Sequence, residues 1–198
     1  MLNSDHEISV MKRKTFLKLS IGAIPGVIVG PKSVAAYRPK KGIKVGTGKD
    51  RQDKSLSLLE GDTFFTKVSS EDTNGDLYIF ESTRLKKGGP SFHRHYDQDE
   101  WWYILSGEFL IKIGDETFEA KAGDSVFGPR GIPHAFTKRG EGEAKMLISF
   151  QPAGKMEAFF QAVSEGKLAK MSDEEQDNFR KAHGFERVGP PIDYMKKF

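Results

Sequence analysis

The sequence predicts an all-β fold, an antiparallel barrel or sandwich with helices packed outside it at the C-terminal end. Three observations predict it. Between Thr63 and Pro152 short strand-like runs alternate with turn signals at close intervals, the punctuation of antiparallel β-structure. After Pro152 the apolar residues recur at helical spacing instead. The balance of 37% hydrophobic and 30% charged residues over 198 positions suits one globular domain with something attached.

Taken in order, residues 1–36 read as an address rather than as fold. A basic cluster (Lys12, Arg13, Lys14, Lys18) precedes a short apolar stretch, Ile21 to Val29, and small residues Ala35 and Ala36 follow. That is the pattern of an export signal, cleaved near Ala36. The apolar run is too short for a spanning helix, which needs about 20 residues. The stretch Arg13-Lys14-Thr15-Phe16-Leu17-Lys18 resembles the twin-arginine export motif, with Lys14 in place of the second arginine. The expected location is therefore exported and periplasmic, with no membrane contact after cleavage.

Residues 37–55 are rich in Lys and Gly and lack apolar periodicity, which predicts a flexible arm. Residues 56–152 form the barrel. Strands are expected at Phe64–Val68, Leu77–Thr83, Trp101–Leu105, Glu108–Ile113, Thr117–Lys121, Ser125–Phe127 and Lys145–Phe150, divided by turns such as Asn74-Gly75, Ser106-Gly107 and Gly114-Asp115. In residues 153–198, Met156, Phe159, Phe160 and Val163 predict a helix ending at Gly166. Ser172 and Glu175 have the spacing of a capping box for a second helix, closed by Gly184. The segment His183 to Ile192 is expected to lie extended against the body.

Composition removes several classes of function. There is no Cys, so no disulfide scaffold, thiol nucleophile or Cys-ligated metal cluster exists. The net charge of +3 resides wholly in residues 1–36, which hold five basic and two acidic side chains. The rest is formally neutral and gives no footprint for nucleic acid. The Gly-rich stretch Lys44–Lys49 lacks the spacing of a phosphate loop.

Of five histidines, three lie in two short segments, GGPSFHRHYDQDEWWYILSG from Gly88 and GDSVFGPRGIPHAFTK from Gly123. In a strand, residues two apart project to one side, so His93 and His95 present two imidazoles together. A tight turn at Asp97-Gln98 lets the returning strand bring Glu100 beside them. His134 opens another strand and supplies a third imidazole from across the barrel. Three neutral imidazoles and one carboxylate suit one divalent transition metal (Mn, Fe, Co, Ni, Cu or Zn) with positions open for substrate. Trp102 and Phe136 share parity with these ligands and are candidates to line the cavity. Trp101 and Tyr103 point outward. Arg94, Arg130 and Lys138 read as solvated charges.

The two segments resemble the two cupin motifs. His93, His95, Glu100 and Gly107 match the first, with its leading glycine offset by one at Gly88. Gly123, Pro129, Gly131 and His134 match the second, and Lys138 stands where an asparagine is common. With EDTNGDLYIFE (from Glu71), FQPAGKMEAFF (from Phe150) and VGPPI (from Val188), the chain is similar to exported single-domain cupins related to quercetin dioxygenases over most of residues 56–192. The resemblance implies a cupin-type jelly-roll, a metal on His93, His95, Glu100 and His134, and a dioxygenase-like oxidoreductase acting on a small aromatic or enolic molecule, with Glu100 also as general base. Two other functions use the same residues: a non-oxidative metal-dependent isomerase or hydrolase, and a non-catalytic small-ligand-binding module. The arm and the C-terminal extension are segments of the kind that exchange between copies in a homodimer.

Overall fold

The computed structural model describes residues 38–58, 61–193 and 195; the expected export signal, 1–36, lies outside them. The elements run β1 (Leu56–Ser57), β2 (Asp62–Val68), β3 (Tyr78–Arg84), β4 (Ser91–His95), β5 (Asp99–Ser106), β6 (Glu108–Ile113), β7 (Glu116–Lys121), β8 (Ser125–Gly128), β9 (His134–Lys138), β10 (Ala144–Gln151), α1 (Met156–Ser164), α2 (Asp173–Ala182) and β11 (Phe185–Pro191). The strands form two antiparallel sheets, ordered β1-β2-β3-β10-β5-β8 and β11-β4-β9-β6-β7. Together they make a jelly-roll-like sandwich, the all-β fold expected.

Alternation in the central strands explains the layering. In β10, Ala144, Met146, Ile148 and Phe150 are buried and the residues between them are not. Register then lines up inward rows across the sheet. Ile148 stands between Phe80 and Trp102, and Phe150 stands between Tyr78 and Glu100. The second row places one carboxylate among aromatic rings, at a large desolvation cost unless it is compensated.

Two glycines set close approaches that a side chain would block. A Cβ on Gly89 would fall 1.7 Å from the Phe136 carbonyl oxygen. Gly88 and Lys138 exchange backbone hydrogen bonds at this crossing, which fixes the entry into β4. A Cβ on Gly128 would lie 2.7 Å from the Trp102 ring, so glycine there lets the indole fill the interior.

The arm follows β2. Buried Asp50 accepts hydrogen bonds from Gln52 N and Thr66 N, each at 2.7 Å, and Lys67 Nζ donates to Lys49 O at 2.8 Å. Beyond the strands, α1 turns its apolar side onto inward-facing rings. Phe160 packs edge-on against both Phe64 and Phe80, with centroids 5.0 and 5.3 Å away. The α2 helix starts with the expected capping box, both of whose hydrogen bonds form. The C-terminal segment joins the second sheet as edge strand β11, antiparallel to β4.

Candidate metal centre

The chain between β4 and β5 does not close a hairpin. β4 belongs to the five-stranded sheet and β5 to the six-stranded one. Glu100 therefore reaches the imidazoles from the opposite sheet. His134 is their neighbour: its Cα pairs directly with that of His93 across β4 and β9. Sequence reasoning assigned these two positions the other way round, because strand pairing between distant segments carries no local signal. The four residues converge all the same, with one ligand atom from each within 4.8 Å of the others.

Glu100 Oε2 is the focus. It lies 3.0 Å from His134 Nε2, 3.3 Å from His95 Nε2 and 3.8 Å from His93 Nε2. Backbone carbonyls orient two of the rings. His93 Nδ1 sits 2.7 Å from Ser91 O and His134 Nδ1 sits 3.0 Å from Ile132 O. A proton on each Nδ1 satisfies those carbonyls and leaves Nε2 with its lone pair toward the centre. His95 is held by rings instead, with Phe150 and Phe185 each 5.2 Å away between centroids. Burial lowers its pKa to about 4 despite the neighbouring Glu100, so it is neutral, as a ligand must be. Burial alone would raise Glu100, but the rings of His134, His93 and His95 gathered around it hold it well below the usual carboxylate range.

A metal fits this arrangement. His95 Nε2 is buried with no hydrogen-bond partner, although it points into a cluster of lone pairs. An orphaned acceptor beside a buried carboxylate is what a cation satisfies. The donor set of three nitrogens and one oxygen suits a first-row divalent ion without selecting which one. The four residues are thus positioned for a metal.

The centre opens on a cavity of about 350 Å3 walled mainly by rings and aliphatic groups, including Phe64, Phe80, Phe136, Phe150, Phe160 and Ile148. Phe136 lines it as expected. Trp102 does not: fully buried, it packs edge-on against His134 at 5.3 Å. Trp101 and Tyr103 stack on each other at 5.8 Å. The three basic residues read as solvated differ in their placement. Arg94 pairs with Glu186. Arg130 clasps Asp99 with its backbone N–H and its guanidinium, tying the turn before His134 to the start of the Glu100 strand. Lys138 is not solvated but only 1% exposed, donating to Gly140 O at 2.9 Å. Its place in all-buried β9 explains the difference. Sequence reasoning missed Asp62, Arg84, Phe185, Arg180 and Arg187, which also line the cavity. Only Phe185 and Arg187 carried a signal, through their place in the closing extended segment.

The family model of the cupin domain matches residues 81–150, which contain all four clustered residues. An uncharacterized protein of Methanocaldococcus jannaschii is 37% identical over 60 residues, covering 30% of this chain and 48% of the relative. The polyketide synthase CurC of Streptomyces cyaneus is 26% identical over 92 residues, 46% of this chain and 57% of that protein. The chain spans about half the length of the curated relatives it matches. Among solved structures, an RmlC-like cupin from Shewanella frigidimarina covers 57% of this chain and 93% of its own, with TM-score 0.46 and 19% identity.

Proposed function

We propose that this chain is an exported, metal-dependent enzyme of the dioxygenase-like kind, acting on a small aromatic or enolic molecule. The observation that carries the reading is the convergence of three imidazoles and one carboxylate, of which His93, His95 and Glu100 line an otherwise mostly apolar cavity. Such a pocket binds a flat apolar body by burial and orients it through a few polar groups. His93, His95, Glu100 and His134 would hold the metal, which would supply Lewis acidity toward a substrate oxygen and the means of using dioxygen.

The chain's own residues do the rest. Phe136, Phe150 and Phe160 exclude water and hold the ring. Glu100 lines the same space and accepts the proton of a substrate hydroxyl at a carboxylate oxygen. A carboxylate does this most readily for an acidic hydroxyl, so enols and phenols fit better than alcohols.

The test is oxygen uptake by metal-loaded protein supplied with flavonols, beside Glu100→Ala loaded to the same measured metal content. Uptake above the free-metal background that disappears in the variant is expected. Equal rates in both remove the dioxygenase reading, and turnover without oxygen selects isomerase or hydrolase chemistry instead. The export part of the reading expects mature protein in the periplasmic fraction beginning near Tyr37, and retention with an intact N-terminus overturns it.

A further inference from the structure

The formally charged side chains in the cavity wall are Asp62, Arg84, Glu100, Arg180 and Arg187. Asp62 pairs with Arg84, and Glu100 lies among the imidazoles. That leaves two guanidiniums facing the cavity. Both are held by Asp177, which does not line it: Arg180 Nη1 donates to one carboxylate oxygen at 3.0 Å and Arg187 Nη2 to the other at 3.1 Å. One carboxylate thus serves two cations, with Asp173 adding a weaker attraction to Arg180.

Their position relative to the metal centre follows from register. Arg187 is the Cα partner of His93 across β11 and β4, and cross-strand partners hold their Cβ atoms about 4.5–5.5 Å apart on one face. Phe185, two residues earlier and so on the same side, packs against the rings of both His93 and His95. The inward face of β11 therefore sets Arg187 next to a metal ligand, at a rim where its side chain is 36% exposed. Arg180 arrives from α2, with Nη2 also donating to Gln176 Oε1 at 3.1 Å. Burial, together with the facing charge of Arg187, disfavours the protonated Arg180 guanidinium, and an anion between the two offsets the repulsion.

We infer that Arg180 and Arg187 form an anion subsite at the cavity rim beside His93, and that the substrate class is a small carboxylate with an apolar body. The carboxylate docks on the two guanidiniums, which suit it as planar donor groups, while the body lies against Phe159 and Phe185. The inference rests on the cavity being the substrate site, as proposed above, and is independent of whether dioxygen is used.

The probes are phenylacetate and its uncharged analogue phenylacetamide, titrated calorimetrically into the full chain before and after chelation. After chelation no metal can be the carboxylate's partner. The expected result is roughly tenfold or tighter binding of phenylacetate over phenylacetamide, the scale of a charge-assisted pair. R180Q/R187Q is expected to bring the two to parity while retaining phenylacetamide affinity, and R187K to keep part of the preference. Equal binding in the parent chain, no saturable phenylacetate binding, or a preference surviving in R180Q/R187Q overturns the inference. If the preference holds but metal-loaded protein shows no oxygen uptake, only the dioxygenase reading falls.

Discussion

Arg84 with Asp62, and His93, His95 and His134 with Glu100, are two polar clusters beside one cavity, and both are withdrawn from water. In the first a guanidinium and a carboxylate are in contact, with side chains 3% and 6% exposed, so the carboxylate already has a positive partner. The second surrounds one anion with three rings of which at least His95 is neutral, and both ring nitrogens of His95 lack a hydrogen-bond partner. Burial costs both clusters desolvation. The carboxylate of the first already faces a guanidinium, whereas the second adds ring lone pairs to its carboxylate, so burial that makes Arg84 and Asp62 a structural pair makes the histidine cluster a receptor for a cation.

The largest effect tests the ion pair. Arg84→Ala is expected to lower unfolding stability by about 3–5 kcal/mol, because it leaves Asp62 buried without its counter-ion. Arg84→Met with Asp62→Leu is expected to recover most of that loss, since apolar groups of similar volume often replace a buried pair at little cost. Urea unfolding of both variants reads the difference. Metal content is expected to stay at the parent level throughout, and a loss of metal in Arg84→Ala would erase the distinction between the clusters.

The next effect tests the receptor. Zinc at about 100-fold excess over its Kd is expected to raise the stability of chelator-stripped protein by about 2.7 kcal/mol. His134→Ala is expected to remove most of that gain, while Arg84→Ala keeps it from a lower baseline. Thermal unfolding with and without zinc measures it. An undiminished zinc response in His134→Ala would show that the metal binds elsewhere.

Why the centre was legible in the sequence and its surroundings were not follows from the range of the interactions. The parity of His93 and His95 is a property of one strand, and the Pro-x-Gly turn before His134 is equally local. Ser172 and Glu175 marked the start of α2 for the same reason. Which imidazole neighbours which depends instead on β4 pairing with β9 rather than β5, a choice made between segments about 40 residues apart. The rim arginines are further still: Arg187 reaches His93 only through the register of β11 on β4. Lys138 misled because a lysine is read as solvated by default, and nothing nearby signalled that a whole strand is covered.

The smallest effect separates the rim from the centre. The α2 helix carries Gln176, Asp177 and Arg180, and its first turn is secured by its own capping box: Ser172 N donates to Glu175 Oε2 at 2.8 Å, and Glu175 N donates to Ser172 Oγ at 3.3 Å. Ser172→Ala is expected to cost about 1 kcal/mol, with faster amide exchange over the first turn of α2 and no change in zinc binding. The backbone and side-chain hydrogen bonds from Ser172 hold the Glu175 carboxyl below its ordinary value. Its contribution to the cap is therefore full above the ordinary carboxylate range and is lost as the pH falls through the lower folded value, when protonation weakens the acceptor. Exchange in the parent protein should accelerate at the start of α2 over that acid window. Zinc affinity that fell with Ser172→Ala would mean that rim and centre are one cooperative unit, and the contrast between a locally built helix and a centre assembled across two sheets would fail.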